Sequence, residues 1–219
     1  MKNLARFVAP LLIILLTFSA KGQRGKIVEG YIITAQLDTV SCIFKPHKWA
    51  RQPFEIKAKI REKDSVIIPN QIKGFIIPSL NVEYKSKEIY PAKYEVDLQF
   101  AEDGYLPDFD TGRVAFLKVL YHGKLNLLMY QDKIERKHFF LENGDEVTEI
   151  YSHLYSKAGL WHSYFPVVEW YKQYIPMLKI FMGECKQLFT IIDVMEFKEE
   201  NIIQLLIKYD KFMSENTEG

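Results

Sequence analysis

The apolar residues of this chain change their spacing part-way along, and that change constrains the fold more than any other feature of the sequence. In the front half they recur at every second position. Phe54-Glu-Ile-Lys-Ala-Lys-Ile60 alternates apolar and polar without a break, as a strand with one buried face requires. Lys26–Thr34 and Thr39–Phe44 are rich in β-branched and aromatic residues around a turn at Gln36-Leu37-Asp38, which predicts a hairpin. Val66–Ile68 and Ile72–Ile77 are short runs stopped by Pro69 and Pro78, which cannot donate to a sheet ladder. Tyr94–Phe100 reads as strand-like. Arg113–Tyr121, Leu125–Gln131 and Lys137–Leu141 read as three strands of a meander.

After Asn143-Gly144-Asp145 the spacing lengthens. Val147, Ile150, Tyr151, Leu154 and Tyr155 fall at helical intervals behind an Asp that can serve as an N-cap. Tyr164–Cys185 extends the pattern, with Pro176 as a kink or break. Leu188–Met195 and Ile202–Phe212 add two more amphipathic segments. Strands followed by helices predict an α+β domain: an antiparallel, meander-like sheet of six to nine strands packed by three to four C-terminal helices. The expected division is a β-rich region over 23–142 and a helical region over 143–213, together one domain, with a frayed tail over 214–219. The expected core comprises Ile27, Tyr31, Ile33, Ile56, Phe116, Val119, Leu127, Ile150, Leu154, Leu178, Ile192 and Leu206.

Residues 1–22 stand apart from this pattern. Lys2 and Arg6 precede an apolar run from Phe7 to Ala20, and small residues at Ala20 and Gly22 suit the shallow pockets of a signal peptidase. The expectation is an export signal, with cleavage before Gln23. The apolar run is shorter than the roughly 20 residues that span a bilayer. No later segment is apolar enough, because Tyr164–Met182 is interrupted by Pro166, Glu169, Lys172, Pro176 and Lys179.

Of 219 residues, 197 would remain after cleavage, enough for one sizeable core. The formal charge of +1 becomes −2 once Lys2, Arg6 and Lys21 are gone, and so balanced a chain lacks the basic patch that nucleic acid demands. Export permits a disulfide between Cys42 and Cys185, which would tie the sheet to the helices; two buried thiols are the alternative.

The motifs that carry chemistry are incomplete. Asp110-Thr111-Gly112 has the turn of an aspartic protease, but Arg113 follows it and Pro107-Asp108 replace the apolar strand that should precede it. Asp108 and Asp110 offer oxygen ligands for a calcium loop outside the EF-hand pattern; a solvated acidic loop is the plainer reading. His47, His122, His138, His153 and His162 show no metalloprotease spacing. Neither a hydrolase nucleophile elbow nor a phosphate-cradling glycine pattern is present, so no cofactor is expected. The resulting expectation is a non-enzymatic binding or structural module; the alternative is a periplasmic hydrolase with an unrecognised site. For a protein or glycan partner, two aromatic-rich segments between regular elements stand out. One carries Trp49 and Arg51, the other Trp161, His162 and Tyr164. Such residues combine large apolar area with a polar handle. A Trp plugging the gap between sheet and helices is the competing reading.

Several phrases resemble a group of exported proteins of Bacteroidetes-type bacteria: Gly30-Tyr-Ile-Ile-Thr34 with Asp38-Thr39-Val40, Trp49 with Pro53 and Ile56, Ile72-Lys73-Gly74-Phe75, Phe116–Leu120 with Gly123, and a late helix carrying Cys185. In some of that group a domain like this precedes an outer-membrane β-barrel. Its members typically have Gly where Cys42 stands. The resemblance implies a periplasmic or envelope setting and supplies no activity.

Overall fold

The computed structural model describes residues 27–49, 51–93, 107–157 and 167–217. The expected export signal, the strand-like Tyr94–Phe100 and the residues Trp161, His162 and Tyr164 lie outside them. Strands follow in the order β1 (Val28–Thr34), β2 (Thr39–Phe44), β3 (Ile56–Ile60), β4 (Lys63–Ile67), β5 (Ile72–Ile77), β6 (Val82–Ile89), β7 (Ala92–Lys93), β8 (Asp108–Phe109), β9 (Arg113–Tyr121), β10 (Asn126–Gln131), β11 (Lys137–Asn143), β12 (Glu146–Ile150), β13 (His153–Lys157) and β14 (Val167–Tyr171). Three helices close the chain: α1 (Tyr174–Phe181), α2 (Phe189–Val194) and α3 (Glu199–Thr217).

Ten strands form one sheet in the order β12-β11-β10-β9-β6-β5-β1-β2-β3-β4, with antiparallel pairing throughout. β7 pairs with β8 and β13 with β14 in separate ribbons. The expected α+β balance is therefore corrected: the molecule is mainly β, with a small C-terminal helix set. The helix expected over Val147–Tyr155 is instead β12 and β13. Asn143 pairs with Glu146, so Gly144-Asp145 forms a two-residue hairpin loop, with Gly144 at φ 60°. A Gly-Asp pair between strands is a hairpin signal, and here it prevails over N-capping. Val147, Thr148 and Ile150 are β-branched and suit a pleated surface. Helix begins only at Tyr174, where Pro176 occupies the first turn, a position that needs no amide donor. The tail expected to fray from residue 214 continues as α3 to Thr217.

Both faces of the sheet bury side chains. Leu127, Phe139, Leu141 and Ile150 pack under Leu178, Met182, Ile192, Ile202 and Leu206 of the helical segment. A second cluster gathers Ile32, Phe44, Phe75, Tyr84 and Phe116. A third holds Ile89, Leu117, Leu128, Tyr130 and Phe140. Of the expected core, Ile56, Phe116, Leu127, Ile150, Leu154, Leu178, Ile192 and Leu206 are buried. Ile33 and Val119 are half-buried, and Ile27 and Tyr31 are exposed. In β1 the inward positions are Gly30 and Ile32, one residue out of phase with the expectation. A slip of one residue exchanges the faces, and the unbroken run Tyr31-Ile32-Ile33 hides the phase.

Two side chains fasten loops to this frame. Beyond the last β9–β10 pair, Met129 with Lys118, the side chain of Gln52 takes over the ladder. Its Nε2 donates to the Phe116 carbonyl, and its Oε1 accepts from the Gln131 amide at 3.2 Å. Asp210 of α3 accepts from the Tyr121 hydroxyl at 2.7 Å and the Lys124 amide at 3.0 Å, and its carboxylate fills the space a side chain at Gly123 would need. Among the described residues no helix is long and apolar enough to cross a membrane.

Candidate functional site

A groove of about 780 Å³ opens between the sheet and the helical segment. Phe139 of β11, Tyr174 of α1 and Phe197, in the link between α2 and α3, form its aromatic floor. Tyr174 stacks on Phe197 at 4.7 Å, and Phe139 meets Phe197 edge-on at 5.7 Å. Tyr174 is held from behind by its own hydroxyl, which donates to the Met195 carbonyl at 2.7 Å. Burial pushes that phenol above its usual value, so it stays protonated and serves as a rigid donor.

The walls are less enclosed. Trp170 of β14 stands opposite Leu154 in the β13–β14 ribbon, but Leu154 is buried while Trp170 is 53% exposed. Val194, across the groove, is 78% exposed. Together they leave an apolar lip in water at the mouth of the groove. The remaining lining carries four cations, Arg136, Lys137, Lys172 and Lys198, and two carboxylates, Glu135 and Glu196. Most of these charges are already paired. Arg136 binds Asp132 at 2.9 Å, Lys137 binds Glu199 at 2.9 Å, Glu196 binds Lys198, and Glu135 lies 3.8 Å from Arg51. The hydrogen bond and charge of Lys198 hold the Glu196 carboxyl below its ordinary value.

Of the residues expected to touch a partner, the structure brings Arg51 to the rim of this groove, through Glu135. Trp49 goes elsewhere. It packs edge-on against Phe44 at 5.7 Å and tilted on Phe75 at 5.9 Å, half-buried against the second core cluster, so it plugs a gap in the sheet. Trp170 lies on a strand and not on the helix expected over Tyr164–Cys185, which is why its exposure does not follow from the helical spacing.

The other sequence candidates take structural duties. Asp110 pairs with Arg113 and accepts the Thr111 amide at 2.9 Å, and Asp108 is exposed on β8. Among the described residues no group of three or more His, Cys, Asp or Glu is placed to hold a metal ion. Cys42 and Cys185 are free, buried thiols in separate clusters, the arrangement of two buried thiols and not a bridge between sheet and helices. Burial pushes the Cys42 thiol up to about 11.

A buried polar relay lies on the other face of β11. His138 Nδ1 is 2.7 Å from Glu149, and its Nε2 is 3.6 Å from Asp132. Glu149 also accepts the Ala92 amide at 2.7 Å, which ties the β7–β8 ribbon to β12. A general base must come within hydrogen-bond reach of its substrate. His138 is 2% exposed, so this relay acts as a fastening inside the sheet.

No protein-family model, curated protein or solved structure matches the chain.

Proposed function

We propose that the protein is an exported module of the cell envelope that binds a partner without chemical turnover, using the groove beside Trp170. The observation that carries this reading is a half-exposed indole at the lip of an aromatic-floored groove. Trp dominates binding hot spots because one side chain supplies a large apolar area with little rotamer freedom to lose. The groove volume falls in the range of small-ligand and peptide sites, about 300–1,000 Å³. A polypeptide segment suits the lining better than a glycan. The half-exposed indole of Trp170 lies two residues from the exposed ammonium of Lys172, so one apolar and one charged side chain of a single segment can meet both. The export half of the reading rests on residues 1–22 and on the resemblance to exported proteins.

A photo-crosslinking residue at Val194, compared with one at Ile43 on the β1–β2 surface, tests the binding reading in cells that make the full chain. An adduct confined to position 194 and lost on Trp170→Ala is expected. No adduct at 194, or equal adducts at both positions, would overturn it. Intact-mass analysis of the same material should show a chain starting at Gln23.

A further inference from the structure

We infer that the segment this groove takes is acidic: it places an apolar side chain against Trp170 and a carboxylate against Lys172. This rests on the groove reading above and specifies its ligand. Most charges of the lining are already neutralised. Arg136, Lys137 and Lys198 each have a carboxylate partner, and both lining carboxylates, Glu135 and Glu196, have cationic ones. Lys172 is exposed and has no ion-pair partner among the described residues. It lies two residues beyond Trp170, so one short segment can meet both.

The two signs of ligand charge therefore face different surroundings. An incoming carboxylate meets an ammonium that gives up only water. An incoming ammonium meets carboxylates that must first release Arg51 or Lys198, and it is repelled by Lys172. Specificity arises from such a difference between favoured and disfavoured partners, and charge complementarity at a rim sets recognition more than raw affinity. The interaction is solvent-exposed, so salt weakens it within a Debye length of about 8 Å at physiological ionic strength.

The test is calorimetric titration of the mature chain with two blocked pentapeptides, acetyl-Glu-Asp-Phe-Asp-Glu-amide and acetyl-Lys-Lys-Phe-Lys-Lys-amide. The acidic peptide should bind at least tenfold tighter. Lys172→Glu should reverse the order, and Trp170→Ala should weaken both peptides. Lys172 is exposed and Trp170 is half-exposed, so each variant should stay folded at the titration temperature, which its melting temperature, measured alongside, checks. Equal binding, or tighter binding of the lysine peptide, would overturn the acidic preference while leaving the groove in place. Binding of neither peptide, or binding indifferent to Trp170→Ala, would remove the groove reading itself.

Discussion

Replacing Gln52 by Leu is the most informative single change in the frame. Its amide substitutes for a peptide group between β9 and β10, donating to Phe116 and accepting from Gln131. Gln52 is 7% exposed and Phe116 is fully buried, so water cannot readily replace either bond. Leucine keeps the volume and removes both partners. An unsatisfied buried backbone group costs about 1–3 kcal/mol. The Phe116 carbonyl should lie toward the upper end and the part-buried Gln131 amide toward the lower, for a total of about 4 kcal/mol. Urea unfolding followed by circular dichroism reads this directly. With a slope of about 2 kcal/mol per molar, the midpoint should fall by about 2 M with the slope unchanged. Gln52→Glu can still accept from Gln131 but cannot donate to Phe116, and it buries a charge, so it should be at least as damaging. If Gln52→Leu shifts stability by less than about 0.5 kcal/mol, the range of an ordinary surface substitution, the splice contributes nothing and the reasoning fails.

Three further outcomes follow from the packing. Gly123→Ala should collide with Asp210 and cost about 2 kcal/mol, and combining it with Asp210→Ala should cost less than the sum of the single changes, since contacting residues are coupled; a double-mutant cycle by thermal unfolding checks this. Burial raises the Glu142 carboxyl, but hydrogen bonds from Lys85, Lys87 and Asn126 outweigh it and leave the group below its ordinary 4.5; Asp132 is likewise lowered, against burial, chiefly by Arg136. Depressed carboxylates add stability that is present above the unfolded value and lost as pH falls through the folded one, so melting temperature should drop steeply below about pH 4.5, and Glu142→Gln should flatten that slope. Cys42 and Cys185 should resist a thiol reagent in the native protein, and both should react after unfolding in the absence of reductant, read by intact mass; a single unreactive pair would mean a bridge.

The sheet was legible in the sequence where alternation is strict. Ile56–Ile60 falls within the Phe54–Ile60 pattern, and Arg113–Tyr121 coincides with β9. Where both faces are buried the alternation is lost, because β11 buries His138, Phe139, Phe140, Leu141 and Glu142 in succession; the strand was still legible as the third run of the meander, but it ends two residues later than Leu141. The false helix at 147–155 has a physical origin: over nine residues, i, i+3 and i+4 matches are compatible with two short strands. The deciding signals were the Gly144-Asp145 pair and the β-branched content of β12. The groove was harder to read. Its floor joins Phe139, Tyr174 and Phe197, and only the chain's return over the sheet brings them together. The one available clue was Val167-Val168-Glu169-Trp170-Tyr171 ahead of Pro176, which reads as a strand feeding a helix start once Pro176 is taken as a first-turn residue. Trp49, the more conspicuous tryptophan, was drawn into the core by Phe44 and Phe75.

The groove's role as the binding face is tested most directly by backbone chemical-shift mapping of the mature chain during titration with the acidic pentapeptide. The account predicts saturable shifts centred on Trp170, Lys172 and Val194, extending to Phe197 and leaving Tyr31 and Ile43 unmoved. Shifts centred on the β1–β2 surface, or none at saturating peptide, would contradict it.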